Sequence, residues 1–316
     1  MYVFKKIMKK INSFFRRCKN NRVRYMYADQ NAGWTKWGQP VIGNKSEGTC
    51  FDPCVRIINE KYVMFYSNRK YNCIVRSESD NGIVWNNKLP ILEPIKGTWE
   101  EMVNRCSFVV HHNKWYLWYT GQYKGCSSIG FAISNDGITF NRSTKPVLTP
   151  EYEFEGKSVM NPCVLFNPNL DLFEMFYSAG ETYEPDVICY ASSKDGINWR
   201  KKDNPILWKG CDPYDQYKVG GCDVHINSDG KYEMYYIGYQ NLDVSRICKA
   251  ISSDCNNWSR DPHNPLLSPS CNKWDSDAVY KPTYCYNSET HEALLWYNGR
   301  KKTEEYIGLA RKIRGE

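Results

Sequence analysis

No stretch of the sequence approaches the roughly 20 consecutive apolar residues of a membrane-spanning helix, so nothing in it reads as a transmembrane span. The 14 Cys form no CxxC pair, and with only five His available no His/Cys/Asp spacing resembles a zinc site. Several Cys, such as Cys163 and Cys189, sit inside apolar strand runs, where buried free thiols are expected rather than a disulfide framework. Residues 1–24 lack acids altogether but hold nine Lys or Arg, and setting them aside leaves 33 basic against 35 acidic residues. The net charge of +7 is therefore a property of the N-terminus, and the rest carries no polyanion-binding signature. Nucleic acid is excluded as a partner on that ground. With no apolar run of signal-peptide length at the N-terminus, the expectation is a reducing, cytoplasmic location.

What is present begins with an amphipathic pattern. Residues 2–18 place Phe4, Ile7, Met8, Ile11, Phe14, Phe15 and Cys18 at three- and four-residue spacings, with Lys5, Lys6, Lys9, Lys10, Arg16 and Arg17 between them. This predicts a basic amphipathic helix within a segment 1–30, suited to an anionic membrane surface or to docking on protein.

From residue 34 onward the chain repeats. An aromatic followed by an acid recurs at Trp99-Glu100, Phe154-Glu155, Tyr214-Asp215 and Trp274-Asp275, spaced by 55, 60 and 60 residues. Each is followed by a short apolar strand and then an aromatic one: WYLWYTG, FEMFYSAG, YEMYYIG and ALLWYNG, with FDPCVRI and YVMFYSN as the equivalent pair near the N-terminus. A third strand and a tight turn follow, as in IGFAISNDGITF, where Asp136 and Asp195 read as turn formers. Five units of this size predict an all-β, five-bladed β-propeller over 31–316. Because the last unit lacks its outer strand while residues 34–43 supply one, the N-terminal strand is expected to close the ring in the fifth blade, which removes an open edge.

The blade pattern, an apolar strand led by Asp-Pro or Asn-Pro, then a YxMxYSG-like strand, then IGxAxSxDGxxW and NPVL, resembles the five-bladed propeller glycosidases and phosphorylases of glycoside hydrolase families 43, 32 and 130. The resemblance spans residues 34–313 and implies that the first residue of each innermost strand faces a central funnel. Those positions are Asp52, Arg105, Asn161, Gly221 and Lys281, with Arg105 preferred to Asn104 or Cys106. It further implies that Asp52 acts as general base or nucleophile at the anomeric carbon, a task that needs a carboxylate. Family 43 has a glutamate where this chain has Gly221, so a second carboxyl must come from elsewhere. Asp223, two residues on and on the same strand face, is the first candidate; Glu101 is the second and Asp277 the third. Glu100, matching the acid repeated in four units, is expected to be architectural.

The cations Arg105 and Lys281, with Arg56 and Arg69 in the unit of Asp52, suggest an anion in the funnel: phosphate, an acidic sugar or a phosphorylated one. Tyr183 is a candidate sugar platform, freer than Trp99 and Trp274, which occupy a repeated position. The expected function is cleavage or transfer of a glycosidic bond on an anionic or lipid-linked envelope glycan, with no cofactor and no metal. A family 130-like phosphorylase and a non-catalytic glycan-binding propeller are the alternatives.

Overall fold

A computed structural model describes residues 30–313. The helix expected over residues 2–18 lies outside the described residues. Strand β1 (Thr35–Lys36) is followed by five groups. The first holds β2 (Cys50–Ile58), β3 (Lys61–Asn68), β4 (Cys73–Ser79) and β5 (Asn86–Leu92); the second β6 (Met102–His111), β7 (Lys114–Tyr123), β8 (Cys126–Ser134) and β9 (Asn141–Arg142). The third holds β10 (Ser158–Asn167), β11 (Leu172–Gly180), β12 (Val187–Ser193) and β13 (Arg200–Lys201); the fourth β14 (Lys218–Ile226), β15 (Tyr232–Tyr239), β16 (Ser245–Ser252) and β17 (Ser259–Arg260). The last holds β18 (Ala278–Asn287), β19 (Glu292–Lys301) and β20 (Glu304–Ile313), and β1 pairs antiparallel with β20 as its fourth strand. The fold is all-β, and within each group neighbouring strands are antiparallel.

The aromatic strands β3, β7, β11, β15 and β19 sit second in their sheets and supply the bulk between neighbouring units. Phe65 and Phe108 stack at 4.3 Å across the first and second units, for example, and Trp118 and Trp296 are fully buried. The acid repeated in the sequence has one job throughout. Glu100 accepts from Tyr119 Oη (2.6 Å) and Arg142 (3.0 Å), Glu155 from Tyr177 Oη (2.7 Å) and Lys201 (2.8 Å). Asp215 accepts from Tyr236 Oη (2.8 Å) and Arg260 (2.7 Å), and Asp275 from Tyr297 Oη (3.1 Å) and Lys36 (2.7 Å). Each ties the approach loop to the aromatic strand and to a cation on the outermost strand, and in the last unit that cation comes from β1. Asp136, Asp195 and Asp254 cap turns, each accepting two backbone N–H groups, and those bonds hold the Asp136 carboxyl at about 2.

The feature that positions the site is a bulge repeated in all five innermost strands. Pairing skips from Phe51 to Cys54, Asn104 to Ser107, Met160 to Cys163, Gly220 to Asp223 and Tyr280 to Thr283, so each inner strand carries one extra residue. At each bulge one residue is left-handed: Asp52 (φ 55°), Arg105 (52°), Asn161 (54°), Gly221 (44°) and Lys281 (46°). These are the five funnel positions aligned from the sequence. A bulge re-aims its side chain, here out of the ladder, and a left-handed non-glycine costs about 1–2 kcal/mol that the surrounding structure must repay. Prolines follow at 53, 162 and 282, where the bulge leaves no ladder bond for an N–H to make.

Much of that repayment comes from the unit before. The bulge N–H of Arg105 donates to Ser67 Oγ (3.1 Å), that of Asn161 to Thr120 Oγ1 (3.1 Å) and that of Gly221 to Ser178 Oγ (2.8 Å). The N–H of Asp52, in the first unit, donates to Asn298 Oδ1 (2.9 Å) in the last. The first unit thus leans on the last as the second leans on the first. In the fourth unit the equivalent acceptor position is Ile237, whose side chain has no oxygen to offer.

Candidate functional site

A cavity of about 120 Å³ opens at the N-terminal ends of the inner strands. It has room for on the order of ten waters, the scale of one sugar ring. Asp52, Arg69, Arg105, Asn161, Tyr239, Tyr280, Arg300 and Glu305 are among the residues that line it. Asp52 is 4% exposed, and its Oδ2 has no hydrogen-bond partner. Burial raises its pKa, opposed by Arg105 and Lys281 and reinforced by Glu305. A buried carboxyl with a raised pKa that lines a cavity has the character of a group suited to proton transfer.

Arg105 Nε lies 3.7 Å from Asp52 Oδ2. Its Nη1 donates to Tyr183 O (2.9 Å) and contacts Met160 Sδ (3.0 Å), leaving Nη2 without a protein acceptor among the described residues. Lys281 is 3% exposed and close enough to Asp52 to lower its pKa, yet it makes no ion pair or hydrogen bond among the described residues. Arg69 lies over the Phe51 ring (4.6 Å) and 3.5 Å from Glu305. Arg300 donates to Asp243 O (3.0 Å). Four cations therefore gather around one bulge carboxylate, and each holds donors left unused among the described residues.

Of the residues expected at the site, Asp52, Arg105, Asn161 and Arg69 line one cavity, and Lys281 lies just beneath it in the narrow gap between the inner strands. Asp223 does not join them. Its carboxylate accepts from Arg56 (3.1 Å), Thr283 Oγ1 (3.1 Å), Tyr284 N (2.7 Å) and Cys163 Sγ (3.4 Å), and pairs with His225 Nε2 (3.0 Å). Arg56 and these bonds hold its pKa far below the usual carboxylate range, so it has no proton to give. The proton-donor reading of Asp223 gives way to that of a clasp joining four inner strands. Arg56, its partner, lines a separate basin of about 600 Å³ at the C-terminal ends of the inner strands, with Phe166 and His225, and has no access to the Asp52 cavity.

Glu101 also lies apart. Its carboxylate accepts the N–H of Gly97 (3.2 Å) in its own loop, and its carbonyl accepts from Asn72 (3.3 Å). Asp277 receives the N–H of Lys302 (2.7 Å) and pins the β19–β20 turn. Tyr183 is not a platform: its hydroxyl accepts the N–H of Gly125 (2.8 Å) while its carbonyl holds Arg105. Trp99 and Trp274 stack on Tyr119 and Tyr297 as blade packing. At Gly221 a Cβ would fall 2.6 Å from Ile237 Cδ1 and 3.5 Å from Lys281 Cδ, so these two side chains occupy the space of the glutamate that family 43 carries there.

Glu305 and Glu184, both lining the cavity, escaped the sequence reading because they lie in β20 and in the β11–β12 loop rather than at repeated inner-strand positions. Among the described residues no group of three or more His, Cys, Asp or Glu could hold a metal.

Solved structures similar to this one include a thermostable family-43 glycoside hydrolase, with a TM-score of 0.69 and 18% identity over 89% of this chain and 96% of that one. Another comes from the GH130 family of mannoside phosphorylases, which contains glycoside hydrolases that target β-1,2 mannosidic linkages in Candida mannan (TM-score 0.64, 14% identity, 83% and 84% covered). These likenesses define the class of fold: all-β and propeller-like. Within it, the chain belongs to the family described as the glycosyl hydrolases family 32 N-terminal domain, whose model matches residues 46–210.

In sequence the chain is 31% identical over 157 residues to a 1,2-β-oligomannan phosphorylase of Thermoanaerobacter sp., covering 49% of this chain and 48% of that protein. It is 36% identical over 134 residues to a β-1,2-mannobiose phosphorylase of the same organism, covering 37% and 43%. The chain spans about half the length of these two curated relatives.

Proposed function

We propose that the protein cleaves a glycosidic bond in the Asp52 cavity with inorganic phosphate as the attacking co-substrate. The observation that carries this reading is the buried bulge carboxyl Asp52, whose Oδ2 makes no hydrogen bond, with unused donors on Arg105 and Lys281 beside it. The names of the two sequence relatives, both phosphorylases of β-1,2-linked mannosides, point the same way and make such mannosides the first substrates to try. Asp52 in its protonated form gives its proton to the departing glycosidic oxygen as that C–O bond breaks. A phosphate oxygen, steadied by Arg105, Lys281 and Arg69, forms the new bond to the anomeric carbon. The proton that phosphate loses returns to Asp52 through solvent, and a sugar 1-phosphate and a shortened glycan leave.

Hydrolysis is the second reading, favoured by Glu305 in the same cavity, since a water nucleophile needs a second carboxyl. The experiment is a screen of β-mannosides and other oligosaccharides with and without phosphate, running Asp52→Asn and Glu305→Gln in parallel. Phosphorolysis predicts phosphate-dependent sugar 1-phosphate that vanishes in Asp52→Asn and persists in Glu305→Gln. Release without phosphate that requires both carboxyls would give the hydrolytic reading. No release under any condition would leave a glycan-binding module as the better account.

The finer architecture belongs to the same proposal: residues 31–316 form one five-bladed propeller closed by β1, a reading supported by the bond from Asp52 N to Asn298 and by the pairing of β1 with β20. From its sequence pattern, the basic segment 2–18 is assigned to an anionic membrane surface on the cytoplasmic side, which would bring the enzyme near a lipid-linked or anionic glycan. Liposome flotation of the full chain against one starting at Asn31 tests this, and equal flotation of both removes it.

A further inference from the structure

The loop 181–186, between β11 and β12, is fastened far more heavily than a connecting loop needs. Lys157 pairs with Glu181, Lys218 with Asp186 (2.7 Å), and the N–H of Asp186 bonds Ala179 O (2.8 Å). Three glycines make room for it. A Cβ at Gly156 would fall 2.7 Å from Glu181 Cα, one at Gly180 2.8 Å from Asp186 Oδ2, and one at Gly220 2.2 Å from Pro185 Cγ. The loop thus reaches from the third unit across to β14 of the fourth, and on its other side Tyr183 Oη takes the N–H of Gly125 in the second (2.8 Å). Its middle, Glu184 and Pro185, lines the Asp52 cavity.

We propose that this loop is a strap whose function is to set the Arg105 guanidinium, with Tyr183 as its positioning residue for anion binding in the Asp52 cavity; the anion part rests on the proposed phosphorolysis. The chain of contacts is short. Gly125 N–H fixes the Tyr183 ring, the Tyr183 carbonyl takes Arg105 Nη1 (2.9 Å), and Arg105 Nε is thereby held 3.7 Å from Asp52. With Nη1 committed, the fork has one orientation, and Nη2 remains for a ligand. A guanidinium released from the strap would keep its charge and lose its aim. The strap also accounts for the Tyr183 hydroxyl meeting a backbone N–H of the second unit, next to the cavity-lining Glu184 and Pro185.

The test uses the full chain with Tyr183→Phe, which removes the hydroxyl anchor and leaves the carbonyl, and with Gly220→Ala, which pushes Pro185 outward and leaves the hydroxyl. The first readout is the titration of Asp52 by carboxyl-carbon NMR, identified by its loss in Asp52→Asn. Loosening Arg105 takes a cation from a group that also faces Lys281, Arg69 and Glu305, so the Asp52 titration should move to higher pH in both variants. The second readout is binding of inorganic phosphate alone, which should weaken roughly five-fold, the worth of one neutral hydrogen bond. Unchanged Asp52 titration in both folded variants would overturn the strap. A shifted titration with no phosphate binding even in the parent protein would sustain the strap and remove the phosphorolysis reading instead.

Discussion

At the scale of single residues, Asp52, the proposed acid, shows how a cavity-lining carboxyl strains its own fold. It is left-handed, buried, and carries a carboxylate oxygen with no hydrogen-bond partner. Because burial raises its folded-state pKa, its ionisation opposes folding: the cost is absent below the unfolded pKa of about 3.9 and grows as pH rises through the higher folded value. Asp52→Asn, isosteric and uncharged, and tolerant of the left-handed region, should therefore raise the melting temperature by a few degrees while lowering turnover by about 10²–10⁴-fold. Calorimetry and a phosphorolysis assay read the two effects, and a variant less stable than the parent would contradict the argument. For the parent, kcat/KM should fall as pH rises through the raised Asp52 pKa, since the acid form is the one at work; a rate that climbs there instead would make Asp52 a base.

Asp223 behaves oppositely. Its depressed pKa means its contribution to stability is complete above about pH 3.9 and is lost as pH falls toward the folded value, so it feeds acid denaturation. Asp223→Asn strands Arg56, whose side chain is 20% exposed, and should cost about 3 kcal/mol in denaturant unfolding.

At the scale of elements, the inner-strand bulge presents the residues of the candidate site, and its stability depends on the neighbouring aromatic strand. The acceptors Ser67, Thr120, Ser178 and Asn298 occupy one position, just after the paired aromatics, in four of the five aromatic strands. The sequence displays this recurrence as YSN, YTG, YSAG and YNG, yet its purpose is invisible there because the N–H it satisfies belongs to the next unit. Ser178→Ala should cost about 1–2 kcal/mol by leaving Gly221 N–H buried without an acceptor. Its effect on chemical unfolding should exceed that of the same change at Ser193, whose hydroxyl serves a turn at the surface end of β12.

At the scale of the whole molecule, the N-terminal strand supplies a charge that its own unit lacks. Lys36 on β1 bonds Asp275 (2.7 Å) and Ser268 O (2.5 Å), filling the role of Arg142, Lys201 and Arg260 elsewhere. Lys36→Met leaves Asp275, 1% exposed, with the neutral donors Tyr297 and Ser270 and no cation, and should lower stability by about 2–3 kcal/mol. Thermal unfolding that is unmoved would mean that β1 adds little to the last unit.

The repeat alone determined the all-β class, the unit boundaries and three of the residues that line the Asp52 cavity, Asp52, Arg105 and Asn161, because each unit restates the same strand pattern and this position falls at a fixed offset in each copy. Only the tertiary structure decided which charges meet. Asp223 follows Gly221 by two positions, so alternation put it on the same face, and Arg56 was expected at the site as a cation in the unit of Asp52; the bulge and the length of the strand carried both toward the opposite end of the inner strands. Glu305, Glu184 and the Tyr183 strap reach the cavity through loops and a third strand whose positions no periodicity encodes, since a loop's path is fixed by what it packs against rather than by its own residues.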